Sequence, residues 1–327
     1  MDDMMRAAMF DGYGAPEVLY VGVADKPEPG PTDVLVRVAA SSVNGGEIIA
    51  RQGKLRLVTG KKFPQRVGID LAGEIVGVGA NVTDLAIGDR VWGAVDERGG
   101  RGAAAEYVLA PAGNVSIAPA TVPSAEAISL LSGGNTSLVA LRGTVRLRSG
   151  ERLLVRGAAG GVGAVGVQIG KALGAHVTAL ASSATFDFVR GLGADEVIDY
   201  HTPADELGRF DVIFDTRGTD LRAFRRQLAP GGRMVTIAFD VDRIVRSLGY
   251  ILFSRVHGSR RVRLFFGHPR RELFTELADL VDRGDVRPIV DEVYPLDRIV
   301  EAHARLERGG VTGKVVVDVL ADSGEAG

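Results

Sequence analysis

From Gly150 onward the chain repeats one pattern: a short apolar strand, a turn, and a helix that stops at a glycine. Residues 153–155 read as a strand and 161–173 as a helix closed by Gly174. Residues 176–180 and 185–192 repeat the pair, closed by Gly193, and 196–198, 211–214 and 234–237 supply three further strands. Apolar strands alternating with helices bury both faces of a sheet, so this stretch predicts a doubly wound parallel sheet. Between its first strand and first helix stands Gly157-Ala158-Ala159-Gly160-Gly161-Val162-Gly163. A turn this rich in glycine lets backbone approach a pyrophosphate, while the N–H groups opening the helix donate to it. The spacing is a variant of G-x-G-x-x-G, with Ala158 in the first glycine's place and Gly160 and Gly163 retained. A phosphate-binding P-loop ending at Gly170-Lys171 fails. Its leading glycine would fall on Val165, and Ala172 stands where a magnesium-binding Ser or Thr belongs.

The two ends of the chain have another texture. Residues 34–38, 73–79, 91–95 and 105–109 read as short strands broken by glycine and proline, which favours a small β domain. After residue 267 come a helix over 272–281, an acidic strand region, another helix, and a strand over 314–319. The N-terminal residues are acidic and lack the basic-then-apolar order of a signal peptide, and no run of eighteen apolar residues occurs. The expectation is a soluble cytoplasmic protein with no membrane partner. Its net charge of −2 exerts no global pull on nucleic acid.

An acidic residue about 20 positions beyond the glycines normally holds the adenosine ribose of NAD. That position falls on Leu180-Ala181-Ser182-Ser183, with no carboxylate in the segment. Two hydroxyls beside a helix N-terminus can donate to a 2′-phosphate, which favours NADPH; they can equally cap the helix. Tyr200, just past the third strand, is placed to reach the adenosine end, or is an ordinary half-buried aromatic. The chain has no cysteine. That excludes disulfides, thiolate nucleophiles, iron–sulfur clusters and sulfur-ligated zinc, so redox chemistry needs a bound cofactor.

Across residues 6–319 the chain resembles the medium-chain dehydrogenase/reductase superfamily, in its zinc-free quinone-oxidoreductase branch. The carriers are Ser41-Ser42-Val43-Asn44, Gly68-Ile69-Asp70-Leu71-Ala72-Gly73, Gly88-Asp89-Arg90-Val91, the 157–163 turn and the segment 193–200. Residues 211–215, Pro230-Gly231-Gly232-Arg233 and Thr312-Gly313-Lys314-Val315 complete them. The resemblance implies a GroES-like catalytic domain over 1–121 and 268–327, a Rossmann domain over 122–267, and an active site in the cleft between them. Zinc members carry a cysteine and a Gly-His-Glu segment as ligands; Asn44 resembles the cysteine's position, and Ile69-Asp70 replaces His-Glu. The five histidines show no ligand spacing, so no metal site is expected.

The resemblance also implies that Asn44 and Thr136 lie near the nicotinamide. Both can hydrogen-bond its carboxamide or a substrate carbonyl oxygen that gains negative charge as hydride arrives. It places Ala158, Ala159, Gly160, Gly161, Val162, Gly163, Ser182, Ser183, Tyr200, Thr216, Arg217, Ala238, Phe265, Phe266 and Lys314 along the cofactor; Arg217 stands where relatives are usually apolar. Enoyl reductases of this branch place a tyrosine proton donor in the loop after the asparagine, but no tyrosine occurs between Tyr20 and Tyr107. The expected substrate is therefore a quinone or an enone, with an enoyl reductase of thioester or polyketide-derived intermediates as the alternative. Arginines crowd the segment Arg243–Arg271, which holds no acidic residue. Such a block can bind RNA or an acidic partner, or can solvate the edges of buried elements; residues 260–263 also suit an edge strand pairing two copies into a homodimer.

Overall fold

The computed structural model describes residues 3–60, 62–95, 102–237, 261–264 and 269–321. Its strands run in chain order β1 (Met4–Phe10), β2 (Leu19–Asp25), β3 (Asp33–Ser42), β4 (Gln65–Arg66), β5 (Asp70–Val78), β6 (Arg90–Ala94), β7 (Tyr107–Pro111) and β8 (Val115–Ile117). They continue as β9 (Arg152–Arg156), β10 (His176–Ala181), β11 (Glu196–Asp199), β12 (Phe210–Asp215), β13 (Leu228–Thr236), β14 (Arg261–Leu264), β15 (Val290–Pro295) and β16 (Lys314–Asp318). The chain divides into two compact units, Met1–Ser132 with Pro269–Gly327, and Gly133–His268.

In the first unit β3 organises the main sheet, whose order is β15-β16-β3-β5-β6-β8, with β7 also pairing β3. Val34, Val36 and Val38 alternate along β3 into a core shared with Ile75, Val91, Val108, Val115, Val315 and Val317, while Arg37 faces out. This period-two burial is the physical reason the segment is a strand. Trp92 of β6 is fully buried and donates its indole N–H to Ser116 Oγ at 3.1 Å. β1 is buried on both faces: Ala8 and Phe10 enter the main core, and Met5, Ala7 and Met9 form a second cluster with Ala105.

The short helix Gly45–Arg51 follows β3 and is pinned at its C-terminal end. The Arg51 side chain is fully buried; it donates to Gly14 O at 2.6 Å and pairs with Glu307. Glu307 ends the helix Ile299–Glu307, so the pair ties two distant chain segments together.

The second unit holds a six-stranded parallel sheet in the order β11-β10-β9-β12-β13-β14. Numbered from β9, this is 3-2-1-4-5-6, the Rossmann arrangement, which reverses direction at β9. The expected helix after β9 runs Gly163–Ala172 and is buried over most of its length. β14, within the arginine run, supplies the sixth strand and pairs Arg233–Thr236 of β13 in parallel register.

The helix Ser124–Leu138 crosses the division at Gly133. Ser129 Oγ accepts the Ile289 N–H at 3.1 Å and Ser132 Oγ donates to Asp70 at 3.0 Å, which ties the first turns to the first unit. Further on, Ser137 Oγ donates to Val162 O at 3.3 Å. The expectation that a domain opens at residue 122 therefore meets a helix whose two ends serve different cores. Removing one partner of a buried ion pair is strongly destabilising. Because Glu307 retains some exposure, Arg51→Met should cost about 3 kcal/mol in denaturant unfolding followed by Trp92 fluorescence.

Candidate active site

In the second unit the glycine turn is shaped by close approaches. Gly157 has φ +74°, and a Cβ there would stand 2.4 Å from Thr216 Oγ1 and 3.2 Å from Arg217 Cδ. A Cβ on Gly163 would strike Gly157 O at 2.1 Å. Gly160 is different: the nearest atom to its missing Cβ is Gly157 O at 3.7 Å. The protein's own packing does not require glycine at 160, so its bareness keeps one face of the turn open. The helix Gly163–Ala172 starts at this turn; the Ala164 N–H donates to Gly160 O at 2.9 Å and the Gly166 N–H to Val162 O at 2.8 Å, so the helix is continuous with the turn. Ala158 is buried; Ala159, Gly160, Gly161 and Val162 are half-buried. Together these leave backbone on one side of the turn uncovered by side chains, which suits an anionic diester.

Asp215, at the end of β12, is buried and shapes the neighbouring loop. It accepts the Arg217 and Gly218 N–H groups at 3.2 and 3.0 Å, Thr236 Oγ1 at 2.8 Å and Arg156 at 2.7 Å. Thr216 donates to Arg156 O at 2.7 Å, and Arg217 is exposed, with its methylene stem against Gly157. Thr136 is half-buried on the same helix as Gly133, whose missing Cβ would touch Gly161 O at 2.3 Å. Beside it Asn135 Oδ1 is buried and has no hydrogen-bond partner, a residue the sequence reading passed over. A buried orphan acceptor costs about 1–3 kcal/mol unless something donates to it.

At the far end of β10, Ser182 is half-buried and shares a 3.2 Å contact with Thr185, while Ser183 is exposed. A carboxylate does stand at this strand end. Parallel register sets Asp199 of β11 opposite Ala181, and its carboxylate accepts the His201 N–H at 2.8 Å and a hydrogen bond from the Ser183 backbone. The His201 backbone and imidazole hold the Asp199 carboxyl below the usual range. The exposed Tyr200 ring stacks on His201 at 3.9 Å between centroids. Sequence reading looked along one strand, and this group arrives from its neighbour.

The first unit holds a buried polar cluster that the sequence indicated only through Asn44 and Lys314. Asn44 precedes the helix Gly45–Arg51 in extended conformation. Its Nδ2 donates to Glu47 Oε1 at 2.9 Å, to Asp70 Oδ2 at 3.1 Å and to Ser42 O at 3.4 Å. Its Oδ1 accepts from the Lys314 ammonium, which also lies 4.0 Å from Asp70 Oδ2. Asp70 further accepts Ser42 Oγ at 2.6 Å and Ser132 Oγ at 3.0 Å. Glu47 accepts the N–H groups of Gly68 and Ile69 at 3.0 and 3.2 Å. Both amide hydrogens of Asn44 are thus engaged within the protein. Glu47 carries no sequence signal of its own, whereas Asp70 stands out as the substitute in the His-Glu position.

Burial pushes the Glu47 carboxyl up to about 7, against the Asn44 and Gly68 donors and the Lys314 charge that favour its ionised form. Burial also pulls the Lys314 ammonium below the ordinary lysine value, with Asp70 and Glu47 opposing.

Ala238, Phe265 and Phe266 lie outside the described residues, as do residues 243–260 of the arginine run. Of the remainder, Arg263 donates to Thr144 O, and Arg271 donates to Ala112 O, and to Val115 O at 2.9 Å, and pairs with Asp84. Among the described residues no group of three or more His, Asp or Glu side chains could hold a metal ion, and no helix is long and apolar enough to cross a membrane.

A β-rich unit and a Rossmann sheet with a glycine cradle define the class of nicotinamide-dependent dehydrogenases and reductases. Residues 30–120 match the alcohol dehydrogenase GroES-like domain and residues 192–317 the zinc-binding dehydrogenase family. The human mitochondrial NAD(P)H oxidoreductase RTN4IP1 is 31% identical, covering 97% of this chain and 90% of its own length. The chloroplastic quinone-oxidoreductase QR1 of Triphysaria versicolor is 32% identical, covering 96% and 98%. Among solved structures, the quinone oxidoreductase from Coxiella burnetii superposes with a TM-score of 0.84 at 28% identity, covering 97% and 99%. The chain belongs to the medium-chain dehydrogenase/reductase superfamily, in its quinone-oxidoreductase branch.

A Glu47 that binds its proton more tightly folded than unfolded contributes stability fully present below about pH 4.5 and lost as pH rises through about 7. Thermal melting between pH 5 and 8 should show this decline as a difference between wild type and Glu47→Gln. Equal slopes in the two proteins would refute the buried titration.

Proposed function

We propose that the chain is an NADPH-dependent oxidoreductase that passes hydride, without a metal ion, to a quinone or to the β-carbon of an α,β-unsaturated carbonyl. The observation that carries the reading is the open glycine cradle at 157–163, with Gly160 bare and the orphaned Asn135 Oδ1 nearby in sequence to Thr136. When bound, the reduced nicotinamide supplies the hydride. The chain's residues hold it: backbone N–H groups of Gly161, Val162 and Gly163 for the diphosphate, with Thr216 and Arg217 beside them. Asn135 and Thr136 suit the carboxamide, whose NH₂ needs an acceptor such as Asn135 Oδ1. Asn44 and Lys314 belong to the reacting end.

For the adenosine end, Ser182 and Ser183 favour a 2′-phosphate. The Asp199 charge opposes one but is partly neutralised by the donors from His201 and Ser183. Metal-free chemistry is supported by the donor set. A zinc site needs donor atoms that are free to coordinate, from Cys, His or a carboxylate. The residues present offer an amide and a carboxylate already bridged by a lysine ammonium, a cation that repels another. Zinc does not fit there. The unpaired outer side of β14, which among the described residues pairs with β13 alone, supports a homodimer.

Purified protein should bind NADPH saturably in a fluorescence titration and oxidise it with a quinone or an enone. Lack of NADPH affinity would overturn the reading, and a turnover series with quinone, enone and enoyl thioester would rank the substrates. Elemental analysis should find no stoichiometric zinc, and chelators should leave the rate unchanged. Ser182→Asp should move the kcat/KM ratio toward NADH by about tenfold or more, and Asp199→Asn should move it toward NADPH. A wild-type preference for NADH would assign the decision to Asp199.

A further inference from the structure

We propose that the Lys314 ammonium is the group that hydrogen-bonds the substrate carbonyl oxygen and hands it a proton, taking the place that a metal ion holds in zinc members. The inference rests on the reductase reading above and assigns the proton donor it left open.

Three observations carry it. First, Lys314 contacts both residues standing at zinc-ligand positions: it donates to Asn44 Oδ1 and lies 4.0 Å from Asp70 Oδ2. A positive charge therefore sits between the two residues that resemble zinc-ligand positions. Second, Asn44 cannot itself donate to a substrate, because its amide hydrogens go to Glu47, Asp70 and Ser42. Its amide orients the lysine instead. Third, an ammonium has three hydrogens, and the described contacts engage one with Asn44 and attract a second to Asp70. One is left for a ligand. The Lys314 side chain is 10% exposed, a low-dielectric setting in which a donor acts strongly on developing negative charge.

The step balances. Hydride from the reduced nicotinamide forms the new bond at the β-carbon, and the C=C electron pair moves to give an enolate. The enolate oxygen takes a proton from the lysine N–H, and the enol tautomerises in water to the saturated ketone. With a quinone the same hydride, together with the lysine's proton, gives the hydroquinone. The neutral amine recovers its proton from water after product leaves, so each turnover consumes one reduced nicotinamide, one acceptor and one proton. An enone demands more of this donor than a quinone, whose reduced anion is already delocalised.

The experiment compares wild type, Lys314→Met and Lys314→Arg with 3-penten-2-one and with a 1,4-benzoquinone. Lys314→Met should keep NADPH affinity within about threefold but lower kcat for the enone by about 10²–10³-fold, with a smaller loss for the quinone. The wild-type kcat should fall at alkaline pH as the ammonium deprotonates, and the variant should lack that limb. Should the methionine variant not fold, Lys314→Arg decides, since a guanidinium keeps the charge but cannot release a proton. It should bind NADPH, lose the alkaline limb and turn over the enone slowly. Wild-type kcat in a folded variant, or a loss confined to NADPH affinity, would overturn the assignment. A wild type that oxidises NADPH with neither acceptor would instead overturn the reductase reading, and this inference with it.

Discussion

A carboxylate deep in a protein must be solvated by the protein itself, and Asp70 is almost wholly shielded from water. Its partners are Ser42 at the end of β3, Asn44 in the turn after it, Ser132 on a later helix and Lys314 at the start of β16. Each must be in place before the charge is tolerable. The cluster therefore fixes the end of the central strand, the mouth of the helix Gly45–Arg51 and the approach of the C-terminal strand at once. A network that is half satisfied is worse than an apolar core, so its members constrain one another. The geometry that suits it to chemistry is the same geometry that makes it stable.

The second unit answers a different demand, the close approach of backbone to backbone. Thr216 and Gly157 crowd one side of the turn and Gly163 packs against its carbonyl, which leaves the bare Gly160 side as the open one. Asp215 anchors the loop below through four hydrogen bonds. The cradle is rigid where the protein touches itself and open where it does not.

Much of this was legible in the sequence because the signals are local. Val34, Val36 and Val38 announce a strand by period two, and the strand–glycine–helix order announces the cradle. What escaped has long-range causes. β1 is buried on both faces, so it shows no alternation, and its strand character emerges only once Ala105 and the main core lie on either side. Asp199 reaches the end of β10 from a neighbouring strand, so a search along β10 alone misses it. Glu47 and Asp70 read as ordinary acids until folding brings Gly68, Ser132 and Lys314 to them. The edge strand read at residues 260–263 is β14, but its parallel pairing with β13 is a long-range contact that the local pattern does not carry.

Lys314 and Asn44 are 270 residues apart, and β16 closes on β3 across the same span. On the ribosome the first eight strands emerge early and wait, with Asp70 and Glu47 lacking their cation, until β16 is translated. The second unit, contiguous in sequence, can complete itself meanwhile. Nascent chains stalled before codon 314 would thus carry a finished second unit and an unfinished first unit. For such a gene, the speed of translation up to codon 314 governs how long that exposed intermediate persists.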